Sequence, residues 1–454
     1  LTLQFMDLKQ NLKKACFVFT VLSLACDSGD INIENSINQT IEIRKTLTLG
    51  GAHNESAQSI VITADGAYAV LGYTQSMGAD VVNKTNTSYD YWLLKFDTEG
   101  QQQWQHVYGG NDDDRGQEII NTSDGGYAIL GSSRSEDGDV SENAGSNDFW
   151  MVKLNPFGII EWGKSFGYYG LDSGFSILQT QDQGFLLTGV LDVTASEGEG
   201  NTNRLNAARH AGGDYWVIKL DQMGELQWRR YYGGNFTDTA YASVETQAGN
   251  FIIVGSSDSD DLDINNNKGS YDFWVLKLSN DGTLLWEKSF GGSEIDEAKD
   301  ITMTSDGNFL IVGNTRSHDT DVSLNNGAAD VWVVKINPDG ELLWEKTFGG
   351  SSFDSAQAIH KTQNNDYIIA GNSRSSDIDL IENKGQNDAW FFKIDSEGAL
   401  QSQASVGGSN IDLLMDVVVL DNGRIVVVGN SGSADLNIPE NKGFTDLLII
   451  ETKP

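Results

Sequence analysis

The chain has almost no cysteine: two in 454 residues, Cys16 and Cys26, both close to the N-terminus. The body that follows has no disulfide framework, no thiolate metal site and no cysteine nucleophile. Basic residues are also scarce, 30 Lys and Arg against 65 Asp and Glu, for a net charge of −35. Such a polyanion repels nucleic acid phosphates and anionic lipid surfaces, so no nucleic acid partner is expected. It favours cations or basic partners, and it also keeps an exported protein soluble. Histidine is limited to His53, His106, His210, His318 and His360, at unrelated positions. No zinc-protease, serine-hydrolase, P-loop or dinucleotide fingerprint occurs. No stretch sustains helical periodicity, and past residue 25 no apolar run is long enough to cross a bilayer as a helix.

What the chain does have is glycine and repetition. The first glycine of a recurring unit stands at Gly50, Gly109, Gly167, Gly233, Gly291, Gly349 and Gly407, a period of about 58 residues with an insertion in the third unit. Units of this size cannot bury their apolar faces alone and must stack into one body. In the unit 291–348, strand patterns fall at 298–304, 309–313, 330–336 and 341–348. Tight turns at 305–308 and 337–340 and a long polar loop at 314–329 separate them. The turns combine Asp or Asn, which bonds its own backbone, with Gly, which takes positive φ. Four short antiparallel strands, seven times over, predict an all-β protein, a seven-bladed β-propeller. The last unit carries only three strand patterns, and the alternating segment 40–49 matches the missing fourth. Leu49-Gly50-Gly51 aligns with Phe348-Gly349-Gly350, so the N-terminal strand is expected to complete the last blade and close the ring. A β-solenoid, the alternative, gives no reason for that exchange between the ends.

Near the N-terminus Met6 reads as the start, Lys9, Lys13 and Lys14 as a basic region and 15–25 as a short apolar region. The run Leu22-Ser23-Leu24-Ala25-Cys26 resembles a bacterial lipobox. That resemblance implies a signal peptide at 1–25, cleavage before Cys26 and lipidation of its thiol. Residues 26–39 then form a polar tether and 40–454 the propeller. The repeats carry T-x-D-G-[GN]-[YF] at 122–127 and 304–309, and D-x-W-x-x-K at 148–153 and 330–335. They carry W-x-K-x-F-G-G at 286–292 and 344–350. In these motifs the chain resembles the SBBP-like propeller repeats of Bacteroidota lipoproteins. The resemblance implies an exported protein, lipid-anchored to the bacterial outer membrane on its periplasmic or surface face.

Chemistry concentrates in the loop between strands two and three, which reads S-x-D-x-D-[VLI]-x-x-N-x-G-x-x-D. Its clearest copies hold Asp137, Asp139, Asn143 and Asp148; Asp261, Asp263, Asn267 and Asp272; Asp319, Asp321, Asn325 and Asp330; and Asp377, Asp379, Asn383 and Asp388. Clustered carboxylate and amide oxygens suit Ca²⁺, which takes six to eight oxygen ligands. The same side chains also bond backbone groups and fix loop shape. In a meander these loops emerge beside the links between blades, so one face should hold a ring of acidic loops. The third unit breaks the pattern: its loop 192–214 brings Arg204, Arg209 and His210, as a recognition loop or a tolerated insertion. The tryptophans fall at two repeat-equivalent positions, third-strand (Trp92, Trp150 and so on) and fourth-strand (Trp104, Trp162 and so on), which assigns them to packing between blades. The sixth unit has Ser402 at the fourth-strand position. The reading is a non-enzymatic binding or scaffolding propeller with a protein or glycan partner and no catalytic residues. The alternative is a glycan hydrolase or lyase with its centre near the channel mouth.

Overall fold

A computed structural model describes residues 39–202 and 210–454. They form seven sheets built of antiparallel meanders, five of them four strands in chain order, with segments near the N-terminal end adding a parallel edge strand to the sixth and the outer strand to the seventh. The first blade runs Glu55–Ile62, Tyr68–Thr74, Asp90–Phe96 and Gln102–Tyr108. The fifth runs Asp296–Met303, Phe309–Thr315, Asp330–Ile336 and Leu342–Phe348. The first strands of successive blades neighbour one another around the ring, and that of the last, Asp412–Val419, meets that of the first. The molecule is a seven-bladed β-propeller.

The first two strands of the fifth blade, Asp296–Met303 and Phe309–Thr315, are longer than the pattern predicts. In the fifth blade the ladder continues past Gly313 to pair Thr315 with Asp296. The glycine does not end the strand. A bulge between Ala298 and Asp300 swings the partner strand so close that a Cβ on Gly313 would lie 1.9 Å from the Glu297 carbonyl oxygen. Only glycine fits such a crossing.

Ring closure follows the expectation. Ile43–Leu49 pairs antiparallel with Asp446–Thr452 and becomes the outer strand of the seventh blade. The sequence pattern missed what precedes it. Gln39 and Thr40 pair parallel with Ser402 and Gln403 on the edge of the sixth blade, and the Ile41 amide donates to the Gln403 carbonyl at 2.8 Å.

Ser402 now has a physical reason. The third-strand tryptophans are fully buried. The fourth-strand ones pack under the turn glycine of the next blade. A Cβ on Gly158 would lie 3.0 Å from Trp104, and one on Gly398 3.0 Å from Trp344. The seventh blade has no turn between its third and fourth strands, because its fourth strand comes from the other end of the chain. An indole at 402 would have no turn to cover, and a serine leaves room for the incoming segment. In the closing strand Lys45 stands at the tryptophan position, and its Nζ donates to the Gly100 carbonyl at 2.9 Å.

Closure is tied by a buried carboxylate. Glu451, 1% exposed, accepts hydrogen bonds from Tyr68 Oη at 2.9 Å, Arg424 Nη1 at 3.2 Å and Arg44 Nη1. It joins both ends of the chain to the first blade. Removing one member of such a set strands the others in a low-dielectric interior. Glu451→Ala should therefore lower the unfolding free energy by about 3–5 kcal/mol in urea titration. Glu99→Ala, which removes the exposed partner of Arg44, should leave the midpoint unchanged.

Candidate functional site

The loops between strands two and three lie beside the links between blades and bond to them. Asp296, at the start of its strand, accepts the Gly292 amide at 2.7 Å and the Ser317 hydroxyl at 2.9 Å. The loop acids answer the same link. Asp319 accepts the Ser293 amide at 2.8 Å and Asp321 the Gly291 amide at 3.2 Å. Asn325 accepts the Gly327 amide at 3.0 Å, and Asp330 accepts the Asn326 amide at 2.9 Å. The other three copies repeat this pattern. Asp137, Asp261 and Asp377 take the amides of Asn111, Asn235 and Ser351. Asp139, Asp263 and Asp379 take those of Gly109, Gly233 and Gly349. Asn143, Asn267 and Asn383 take those of Gly145, Gly269 and Gly385. Asp148, Asp272 and Asp388 take those of Ala144, Lys268 and Lys384.

Each of these side chains accepts a different amide, and Asp148, Asp272, Asp330 and Asp388 each keep a buried Oδ1 without a hydrogen-bond partner. Among the described residues no group of three or more His, Cys, Asp or Glu is placed to hold a metal ion. The amide bonds are sufficient to shape each loop without an ion. Thermal melts in excess Ca²⁺ and in EDTA should coincide; a rise with Ca²⁺ would show that the loops hold metal after all.

Of the third unit's residues, His210 is not at the surface. It is 2% exposed, with Nδ1 at 2.5 Å from Asp214 Oδ2 and its ring edge-on to Tyr231. It shapes the loop rather than presenting a recognition group. Arg204, Arg209 and Cys26 lie outside the described residues.

The sequence pattern also missed the apolar part of this face. The middle residue of D-x-D adopts left-handed φ, +57° at Leu262, +61° at Ile378 and +56° at Leu436. That region is costly for a β-branched residue such as isoleucine. These side chains are nonetheless exposed, by 41%, 63% and 69%. Tyr169, Phe236 and Phe444, on links and loops of the same face, are more than half exposed. The only sequence signal was the apolar residue between two acids, which pattern reading treats as a spacer.

A second group of acids lines the ring axis. The inner-strand bulge leaves one amide per blade without a ladder partner, and carboxylates take most of these. Asp300 accepts its own blade's Ile301 amide at 2.7 Å and the next blade's Ile359 amide at 2.8 Å. Asp416 does the same with Val417 at 2.7 Å and Ile60 at 2.8 Å, and Glu118 takes the Ile177 amide. The equivalent residues in the fourth and sixth blades are Ala242 and Ala358, and Asp300 covers the Ile359 amide beside Ala358. These carboxylates therefore latch blade to blade. They surround an axial cavity of about 120 Å³, into which Lys299 also reaches, 4.1 Å from the Tyr241 ring centroid.

Burial, with mutual repulsion, pushes Glu118 up to about 8 and Asp300 to about 7; burial alone pushes Asp416 to about 6. A raised carboxylate pKa means that the folded state holds protons the unfolded state has released. Stability should then fall as pH rises from about 4 to about 8. Asp124, on a turn and paired to Lys153, is held down at about 2, and its contribution is lost only in stronger acid. The melting temperature should be higher at pH 5 than at pH 8, and Glu118→Gln should flatten that slope. A profile that rises towards pH 8 would contradict this account.

No family model matches the chain. A curated relative, the regulatory protein FlaEY of Caulobacter vibrioides, is 27% identical over 179 residues. The match covers 36% of this chain and 18% of that protein's length. Among solved structures, the Pan2 WD40 domain of Neurospora crassa has a TM-score of 0.48 and 11% identity, covering 92% of this chain and 98% of that one. Sqt1 from Chaetomium thermophilum has a TM-score of 0.45 and 10% identity, covering 92% and 99%.

Proposed function

We propose that this propeller is a non-enzymatic docking body whose acidic loop face takes a basic protein partner. The carrying observation is the composition of that face. Exposed Leu262, Ile378, Leu436, Tyr169, Phe236 and Phe444 stand among exposed acids such as Glu136, Asp137, Asp319 and Asp377. Apolar anchors inside a charged rim are the anatomy of a protein interface, and the sign of the rim selects a lysine- or arginine-rich partner. Holding isoleucine at positive φ in the open costs stability that the fold alone does not require. The axial carboxylates are engaged in joining blades, which favours docking over glycan hydrolysis. The name of the partly matching relative, a regulatory protein, accords with a binding role. We further propose that lipidated Cys26 anchors the chain to the bacterial outer membrane, as in the lipoproteins its repeats resemble.

The test is capture from the organism's own membrane fraction. The wild-type chain should retain a basic protein at 0.15 M salt and release it at high salt. Ile378→Gly should raise folding stability by about 1 kcal/mol while weakening capture, which separates binding from folding. Asp319→Asn with Asp377→Asn should weaken capture further. Cys26→Ala should move the chain from the membrane to the soluble fraction. Unchanged capture by the loop-face variants would remove the docking reading.

A further inference from the structure

The seven loops provide an internal comparison. Four residues before the aspartate that opens each third strand lies a position that, in most blades, answers that acid or its neighbours with a donor. In the seventh blade it is Lys442, whose Nζ reaches Glu440 Oε1 at 2.6 Å, Asp80 Oδ2 at 3.0 Å and the Thr48 carbonyl at 3.4 Å. In the sixth it is Lys384, on Glu382 and on the Ser405 carbonyl at 3.2 Å. In the fourth it is Lys268, 2.9 Å from Asp321, on the Ser289 carbonyl and 5.9 Å from the Phe290 ring centroid. In the fifth, Asn326 Nδ2 donates to Asp330 at 3.1 Å, and in the third His210 meets Asp214. The first blade has Asn86 there, and Lys84 reaches Asp90 instead, at 2.5 Å.

In the second blade this residue is Ala144. The loop reads Glu142-Asn143-Ala144-Gly145, where the sixth reads Glu382-Asn383-Lys384-Gly385 and the seventh Glu440-Asn441-Lys442-Gly443. Most groups that surround the ammonium elsewhere are kept; the next blade's loop acid, Asp321 for Lys268 and Asp80 for Lys442, has no counterpart in the third loop, which lacks D-x-D. Glu142 stands for Glu382 and Glu440, Ser165 for Ser405, and Phe166 for Phe290. With the lysine gone, a cavity of about 550 Å³ opens, lined by Glu142, Ala144, Asp148, Ser165, Phe166 and Arg229 among others. Asp148 is 2% exposed, and its Oδ1 has no hydrogen-bond partner. The same oxygen is unpartnered on Asp272, Asp330, Asp388 and Asp446, but those blades carry a lysine or an asparagine amide at the loop position. Arg229 is the one cation on the cavity wall; it sits over Tyr168, 5.0 Å from the ring centroid, and forms no ion pair with a described carboxylate.

We propose that this cavity binds a primary alkylammonium, the side chain of a lysine on a protein partner, in the place that Lys384 and Lys442 occupy in their own blades. The stem would lie along Phe166, and the ammonium would donate to Glu142 and the Ser165 carbonyl, as Lys384 does to Glu382 and the Ser405 carbonyl, with the Asp148 carboxylate nearby as Asp388 is to Lys384 at 4.0 Å. The inference rests on the reading of the loop face as the docking surface, and it names the group that surface recognises.

The probe is Nα-acetyl-lysine methylamide, titrated into the folded chain by NMR, with the norleucine analogue as the uncharged control. One lysine probe should bind per chain, at least ten-fold tighter than the norleucine analogue. Ala144→Lys should abolish that binding and raise the melting temperature, because the cavity is then filled from within. Lys384→Ala, checked for folding by its melt, should create a second site and double the stoichiometry. Equal affinity for the two probes, or full binding by Ala144→Lys, would overturn the proposal. Partner capture lost in the Ile378 and Asp319 variants but unaffected by Ala144→Lys would remove this pocket and leave the docking face. Lysine binding with capture indifferent to the face would remove the docking reading alone.

Discussion

A carboxylate that accepts a backbone amide is the interaction on which this ring depends. A β-propeller must bend its chain sharply at every link and crowd its innermost strands around an axis, and both operations remove amides from ladder partners. A buried amide without an acceptor costs about 1–3 kcal/mol, and charged acceptors make the stronger bonds. Here aspartate supplies the acceptor at the links, as at Asp296 and Asp354, and Asp300, Asp416 and Glu118 supply it at the axis. Part of the chain's negative charge is this scaffolding, repeated around the ring.

That economy explains where the repeat can vary. Trp104 and its equivalents in the first five blades cover a turn glycine of the next blade, the closing strand carries Lys45 over Gly100, and the position becomes Ser402 at the one junction without such a turn. The closing blade replaces indole packing with the buried set Arg44, Arg424, Tyr68 and Glu451. Its two halves come from opposite ends of the chain, and charge-assisted bonds hold them in a defined register. Positions that link amides do not demand, the D-x-D middle residue and Ala144, are free to carry surface properties.

Most of the fold was legible in the sequence. A period of about 58 residues, the turn glycines and the strand missing from the last unit suffice for seven blades and their closure. Strand ends were misjudged at Gly313, where glycine marks a close crossing inside a strand and not its end. The candidate site was legible only in outline. The acidic loops were found, but not that their carboxylates accept the amides of the links between blades. His210, which sequence alone placed with a recognition loop, is buried on Asp214.

Sequence by itself determined the repeat, the strand and turn grammar and the closing exchange, because these follow from local chemistry recurring at a fixed interval. Tertiary structure decided which oxygen meets which amide, that Asp300 serves two blades, and that Ala144 leaves a cavity where three of its equivalents place a lysine. Those facts join residues of different blades, and a pattern read along one chain carries no information about which side chains the ring brings face to face.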